Sequence, residues 1–385
     1  MKNIKIDNKI INSLSLVLKD FSFENNPEKI THPKNGFRIL PQEFPVPQLI
    51  YFLLSKIFTG YTRHRLEKTL WTVSFYYKGF EAEFALQKLG LRLYLSDLIT
   101  DSPEREQIKN QILSKIKKAT SILDRKVLTE YAKKQIIQGD VTIDNQYVKF
   151  SNMYYYFREQ AKEAFNGKGD NSQGAQKVFG IDPNKFQLNL IGFYNTSAMI
   201  DTYFSRLEHL LVISLPFLKF NPEKINLLEF ISTNWGNKFK LVFNVKNDNK
   251  AKSFYDKLKV IKEKYRNTFS HGGFEKEGAS LFFHLPEVGA ITASLSKFDK
   301  SPHFNFFPIE INTFEEVCKL FDDFDKWLEK NTLPFAVKYA NSGLEVSFDK
   351  NSVSEYNTAM ESEYNFNQLI EKKGYYSDMF TNMDF

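Results

Sequence analysis

Arg266 and His271 stand five positions apart, with Asn267, Thr268, Phe269 and Ser270 between them and Gly272 and Gly273 directly after. A guanidinium is a fixed cation whose fork of donors matches phosphate oxygens, and an imidazole can take up or release a proton near neutral pH. Held at one phosphodiester, the two could cleave RNA without a metal. The arginine would hold the negative charge that builds on the phosphoryl oxygens. The histidine would move a proton from the 2′-hydroxyl or to the leaving oxygen. The same residues also suit a plain helix end, because peptide dipoles favour cations there and glycine stops the helix. Residue types and spacing leave both readings open.

Whatever the pair does, the helix before it must place it. Residues 247–273 read NDNKAKSFYDKLKVIKEKYRNTFSHGG. Phe254, Leu258, Ile261 and Tyr265 recur at steps of 4, 3 and 4, the period of one buried stripe on an α-helix. Lys252, Lys257, Lys259, Lys262 and Lys264 fall between them and are expected to face water, with Asp248 and Asn249 available to cap the start. Lys262 and Lys264 are candidate RNA contacts. On a regular helix Arg266 lies about 110° to one side of the stripe and His271 about 110° to the other. A shared site then requires a loosened last turn, a long reach by Arg266, or a second chain. A second long helix is expected from Ile191 to Leu218, with Tyr203, Leu207, Leu210, Leu211 and Leu215 inward and Pro216 ending it. Its expected polar side carries Arg206, a further candidate RNA contact, beside Glu208 and His209, which could support the catalytic pair from behind by orienting a base. Surface pairing and partial burial are the plainer account of all three.

Arg-Asn-x-x-x-His-Gly at the end of a long amphipathic helix resembles the signature of the HEPN superfamily, over a stretch of about residues 190–335. That resemblance implies a C-terminal HEPN-like four-helix bundle acting as a metal-independent endoribonuclease with no cofactor. Arg266 would then contact phosphate, Asn267 would position RNA or the catalytic pair, and His271 would be the acid or base. It further implies a homodimer whose two motifs line one cleft, and a role as a toxin or antiviral defence effector. An antitoxin or regulatory protein would be a partner in such a setting. Some members of the superfamily are inactive, so a non-catalytic helical module that binds RNA or protein is the alternative.

A chain of 385 residues is expected to form two domains. The formal net charge of +6 permits a nucleic-acid partner without requiring one. Cys318 is the single cysteine, so neither an intrachain disulfide nor a thiolate metal cluster can form, which fits a reducing cytoplasm. The opening MKNIKIDNKIINS is too polar for a signal peptide, and Leu210–Leu218 is too short and too interrupted to cross a bilayer. A soluble, cytoplasmic protein is expected. No glycine-rich phosphate loop, His-Glu-x-x-His pair or spaced carboxylate set points to nucleotide or metal chemistry.

The fold class expected is mainly α with small β elements. Residues 1–170 are expected to be a mostly helical N-terminal domain with short strands, serving as a sensor or regulator. Residues 1–45 suggest a strand or two, and Pro47 opens a helix that Gly60 ends. The aromatic-rich segment 61–97 reads as mostly helical, with Arg63, His64 and Arg65 as a solvated first turn or, less simply, a phosphate contact. Residues 104–134 hold nine Lys and Arg against four Asp and Glu and offer an additional RNA-facing surface. VTID and YVKF, around Asn145, alternate as a hairpin would. GKGDNSQGAQ, residues 167–176, is the expected linker and domain boundary. The bundle is expected over 177–345, with SLFFHL and AITASL as an inserted β-hairpin and Thr313–Leu328 as its closing helix. Residues 346–385 read as a polar, acidic tail, partly disordered or folded onto a partner.

Overall fold

Alternation of period two, not a helical stripe, governs residues 69–95. Thr69–Tyr77, Phe80–Gln87 and Gly90–Leu95 form three antiparallel strands, β4, β5 and β6. Lys78 and Gly79 turn the chain between the first two at φ values of 52° and 85°. Positive φ at both central residues is what a tight hairpin needs to match strand twist. Thr62–Leu66 (β3) and the short Phe21–Ser22 (β1) both pair with β4, and Asn35–Ile39 (β2) pairs with β6. This six-stranded antiparallel sheet corrects the expectation that 61–97 is helical, and Arg63, His64 and Arg65 lie on a strand.

The computed structural model describes residues 6–23, 33–168, 183–266, 280–287, 289–294 and 309–383. The chain divides into two compact units, one made of Met1–Ile136 with Glu371–Phe385 and the other of Ile137–Ile370. In the first unit the sheet turns Trp71, Val73, Phe75, Phe84 and Leu93 into a core. Asn8–Val17 (α1), Pro47–Tyr51 (α2) and Ser102–Leu123 (α3) cover it with Leu14, Ile50, Ile108, Ile112 and Ile116. Truncating a fully buried ring such as Phe84 to alanine would cost about 3–5 kcal/mol. α3 continues through a π-turn, Asp124–Leu128, into Thr129–Gln138 (α4). Its apolar side faces the core while Lys117, Lys118, Arg125, Lys126, Lys133 and Lys134 are exposed.

In the second unit Tyr147–Phe165 (α5) packs along Pro183–Ile213 (α6). Of the residues read as a linker, 169–176 lie outside the described residues, and the division of the chain into compact units comes at 136/137. The aromatic surface of α5 explains the shift: Tyr154 is buried against Tyr203, an attachment that ties α5 to α6. Thr142–Ile143 (β7) does not form a hairpin with YVKF, which begins α5.

Leu227–Ser232 (α7), Trp235–Val242 (α8) and Asn249–Ile261 (α9) come next in the chain, then the hairpin Ser280–Leu285 (β8) and Gly289–Ser294 (β9). After them stand Ile311–Trp327 (α10) and Pro334–Asn341 (α11). Val346–Ser347 (β10) pairs with β7, and Lys350–Ala359 (α12) and Glu363–Asn382 (α13) complete the described elements. The segment read as a tail is thus mostly helical. Asp349 caps α12, and Tyr356 and Phe366 pack on Phe217 and Tyr339, which gives these residues an apolar seat that their average polarity hides. The chain as a whole is mainly helical with a modest β content, and the small hairpin precedes the last helices.

Candidate functional site

α9 is built as its spacing predicts. The side chain of Asp248 accepts from the backbone of Lys250 and Ala251, satisfying donors that a helix start leaves open. Phe254, Leu258, Ile261 and Tyr265 are all buried. Phe254 meets Phe324 and Trp327 of α10, and Tyr265 belongs to a π-turn, Lys262–Arg266, that continues α9. A π-turn is wider than an α-turn and shifts the angular position of the residues beyond it. Other π-turns occur at Phe52–Ile57, Asp124–Leu128 and Leu328–Thr332, so this one does not by itself mark a site.

Arg266 closes the π-turn, where it and Lys264 are described by their backbone alone. Asn267 and His271 lie outside the described residues. The supporting residues are described, and adjacent positions on α6 send them in different directions. Glu208 reaches the motif helix: its carboxylate lies 3.6 Å from Lys262 Nζ and 3.5 Å from Lys238 Nζ of α8. Lys262 sits over the rings of Trp235, at 5.3 Å, and Phe204, at 5.8 Å. The expectation that Lys262 faces water as an RNA contact is corrected, because Glu208 and two aromatic rings hold most of its length. Lys238 and Trp235, which complete this cluster, are not singled out by the sequence. Both precede the apolar run FKLVFNV, residues 239–245, and nothing in their spacing marks Lys238 as facing inward.

His209 points to α5. Its Nε2 accepts from the backbone N–H of Gln146 at 3.0 Å, and its ring lies beside Phe150. Burial pushes the imidazole below its ordinary value, with Asp144 pulling the other way. A neutral ring spent on a backbone amide does not orient a base at Arg266, so the expectation for His209 is corrected.

Arg206 is also corrected. It is 4% exposed and forms an ion pair with Asp325 of α10, so no surface is left for RNA. The rings of Tyr203, Tyr154 and Tyr147 lie 4.7, 4.9 and 5.6 Å from its guanidinium carbon. Tyr203 donates to Asp325 at 2.9 Å, and burial pushes the Tyr147 phenol up to about 12. Aromatic faces attract a desolvated cation, which makes this position bearable for a charge. Asp325 is the residue that reasoning from sequence misses. It lies one position past Phe324 in the apolar stripe of α10, where an acid facing inward implies a buried cation nearby.

A groove of about 550 Å³ runs between α9 and α10, lined by Lys257, Ile261, Tyr265, Val317, Leu320 and Asp323 among others. Lys257 and Lys319 share it with Glu316 and Asp323, so it gathers no excess of positive charge. Cys318 is buried beside Met199, and burial pushes its thiol up to about 11, which keeps it an inert core residue. His284 is exposed on β8. Among the described residues no group of three His, Cys, Asp or Glu side chains could hold a metal ion. No helix among them is long and apolar enough to cross a membrane.

No family model, no curated protein and no solved structure matches this chain.

Proposed function

We propose that the chain is a metal-independent endoribonuclease of the HEPN type, with Arg266 and His271 as the catalytic pair and Asn267 positioning them or the RNA. The observation that carries the reading is the seating of the helix that ends in Arg266. It is capped by Asp248, anchored by a fully buried stripe, and braced by Glu208 through Lys262 four residues before the arginine. A catalytic group needs such a fixed base if it is to meet a phosphodiester in one geometry. In the reaction His271 takes the proton of the 2′-hydroxyl as that oxygen bonds to phosphorus. The bond to the 5′-oxygen breaks, and that oxygen leaves with a proton from a second imidazole or from water. Arg266 holds the charge on the non-bridging oxygens. The products are a 2′,3′-cyclic phosphate and a 5′-hydroxyl. A homodimer that sets two motifs along one cleft supplies the second imidazole, and a toxin or antiviral defence effector is the setting in which such cleavage is useful.

Labelled RNA incubated with the purified protein in EDTA tests the chemistry. Arg266→Ala and His271→Ala should each lower cleavage by at least about a hundredfold. Equal cleavage by both variants and the parent would mean a contaminant and end the proposal. Growth arrest on expression, lost in His271→Ala, is the matching observation in cells. An RNA-binding protein that never cuts would instead be the non-catalytic module.

A further inference from the structure

One face of the six-stranded sheet is apolar and packed; the other carries three arginines, which the sheet treats unequally. Arg63 on β3 is matched. Its Nη2 lies 3.3 Å from the buried carboxylate of Glu83, and its Nε donates to Thr72 at 3.4 Å. Arg38 on β2 and Arg92 on β6 are register partners, directly opposite each other. Among the described residues neither has a carboxylate partner. Like charges set opposite on an antiparallel pair repel each other, so the arrangement costs stability until an anion joins it. Two planar guanidiniums side by side present donors that suit phosphate oxygens.

Two residues along β6 from Arg92, on the same face, stands Tyr94. Its ring lies over Gly36, its register partner on β2, where a Cβ would stand 2.6 Å from the ring. Only glycine leaves that space. The Tyr94 hydroxyl donates to Gln87 at 3.2 Å, which fixes the ring along the sheet. No other aromatic ring stacks on it among the described residues. Residues two apart on a strand are separated by ~6.7 Å, the scale of one step along an extended nucleic-acid strand. The cations and the ring are held on a sheet, so their spacing is fixed before any ligand arrives.

We infer that this face binds single-stranded RNA, with backbone phosphates on Arg38 and Arg92 and a base stacked on Tyr94. The inference rests on the proposed function only for the identity of the polymer as RNA. It gives the first unit a substrate-holding task separate from the chemistry at Arg266.

The test uses the full chain and a fluorescent 2′-O-methyl oligouridylate of about 12 nucleotides. Such a probe has no free 2′-hydroxyl, so it stays intact whether or not His271 is catalytic. Arg38→Ala and Arg92→Ala should each weaken binding about tenfold and lower the salt dependence by about one released ion. Tyr94→Leu should weaken it about tenfold, and Tyr94→Phe should bind like the parent. Lys9→Ala, at an exposed lysine on α1, should change nothing measurable. Affinities for both arginine variants within twofold of the parent, with unchanged thermal melts, would overturn the inference. So would an equal loss in Lys9→Ala, which would mean diffuse charge attraction. Because the probe cannot be cut, either result leaves the cleavage test of His271→Ala to stand or fall separately.

Discussion

The sheet of the first unit buries Glu83 and the helices of the second bury Arg206, and the two charges are neutralised by opposite means. Glu83 is 4% exposed, but its partner Arg63 is 31% exposed and keeps contact with water. Ser74 adds a hydrogen bond of 2.8 Å to the same carboxylate. Arg206 is buried to the same degree, and its surroundings are three tyrosine rings and one aspartate whose side chain is 21% exposed. A sheet is one layer thick, so an ion on it can be reached by a long side chain from the rim. An ion between helices has only what the neighbouring helices bring. The cost of losing a partner should therefore differ sharply between the two places, because the remaining group is stranded in one and rehydrated in the other.

Asp325→Ala should give the largest effect. It strands a guanidinium between helices and should destabilise the second unit by about 3–5 kcal/mol, read from urea unfolding. Replacing both partners, Arg206→Met with Asp325→Leu, should recover most of that loss. Failure of the double variant to recover would mean that the aromatic enclosure depends on the cation itself. Glu83→Gln should cost less, about 1–2 kcal/mol, because Ser74 can still donate to the amide oxygen and Arg63 can turn to solvent. A loss as large as that of Asp325→Ala would erase the distinction between the two settings.

The smallest effect concerns pH. Burial holds the His209 imidazole below its ordinary value of 6.5, and its Nε2 must stay unprotonated to accept from Gln146. The unfolded chain then binds more protons than the folded one between the depressed value and 6.5. This contribution is complete above 6.5 and is lost as pH falls through that window. Melting temperatures measured from pH 8 down to pH 5 should decline, and His209→Gln should flatten part of the slope. An unchanged slope in the variant would place the proton uptake elsewhere.

How much of the fold is legible without coordinates depends on how local the physics is. The helix at Asn249–Ile261 needs only its own cap and stripe, and both Asp248 and the four apolar residues behave as their spacing predicts. α10 is legible for the same reason: of its helically spaced apolar residues, Phe314, Val317, Phe321, Phe324 and Trp327 are buried and Leu320 is half-buried. Residues 69–95 mislead although alternation runs through all three strands, because their aromatic density suggests helices when it is weighed above period. Arg206 and Lys262 mislead for a different reason. Charge suggests exposure, and the partners that reverse this, Asp325 and Glu208, lie far off in the chain. The unit boundary likewise depends on a tyrosine contact across a glycine-rich stretch that looks like a divider.

Residues 371–383 count with the first unit, where Asn382 accepts from Lys88 and Phe380 lies under Arg65, although the whole second unit separates them in sequence from residue 136. A ribosome delivers them only after everything between has been made. The sheet must therefore wait, without its last contacts, for the length of time that the intervening 234 residues take to be translated and collapse. Nascent copies would spend that interval with Arg65 and Lys88 lacking these partners, a window in which a chaperone or a polyanion could engage them first.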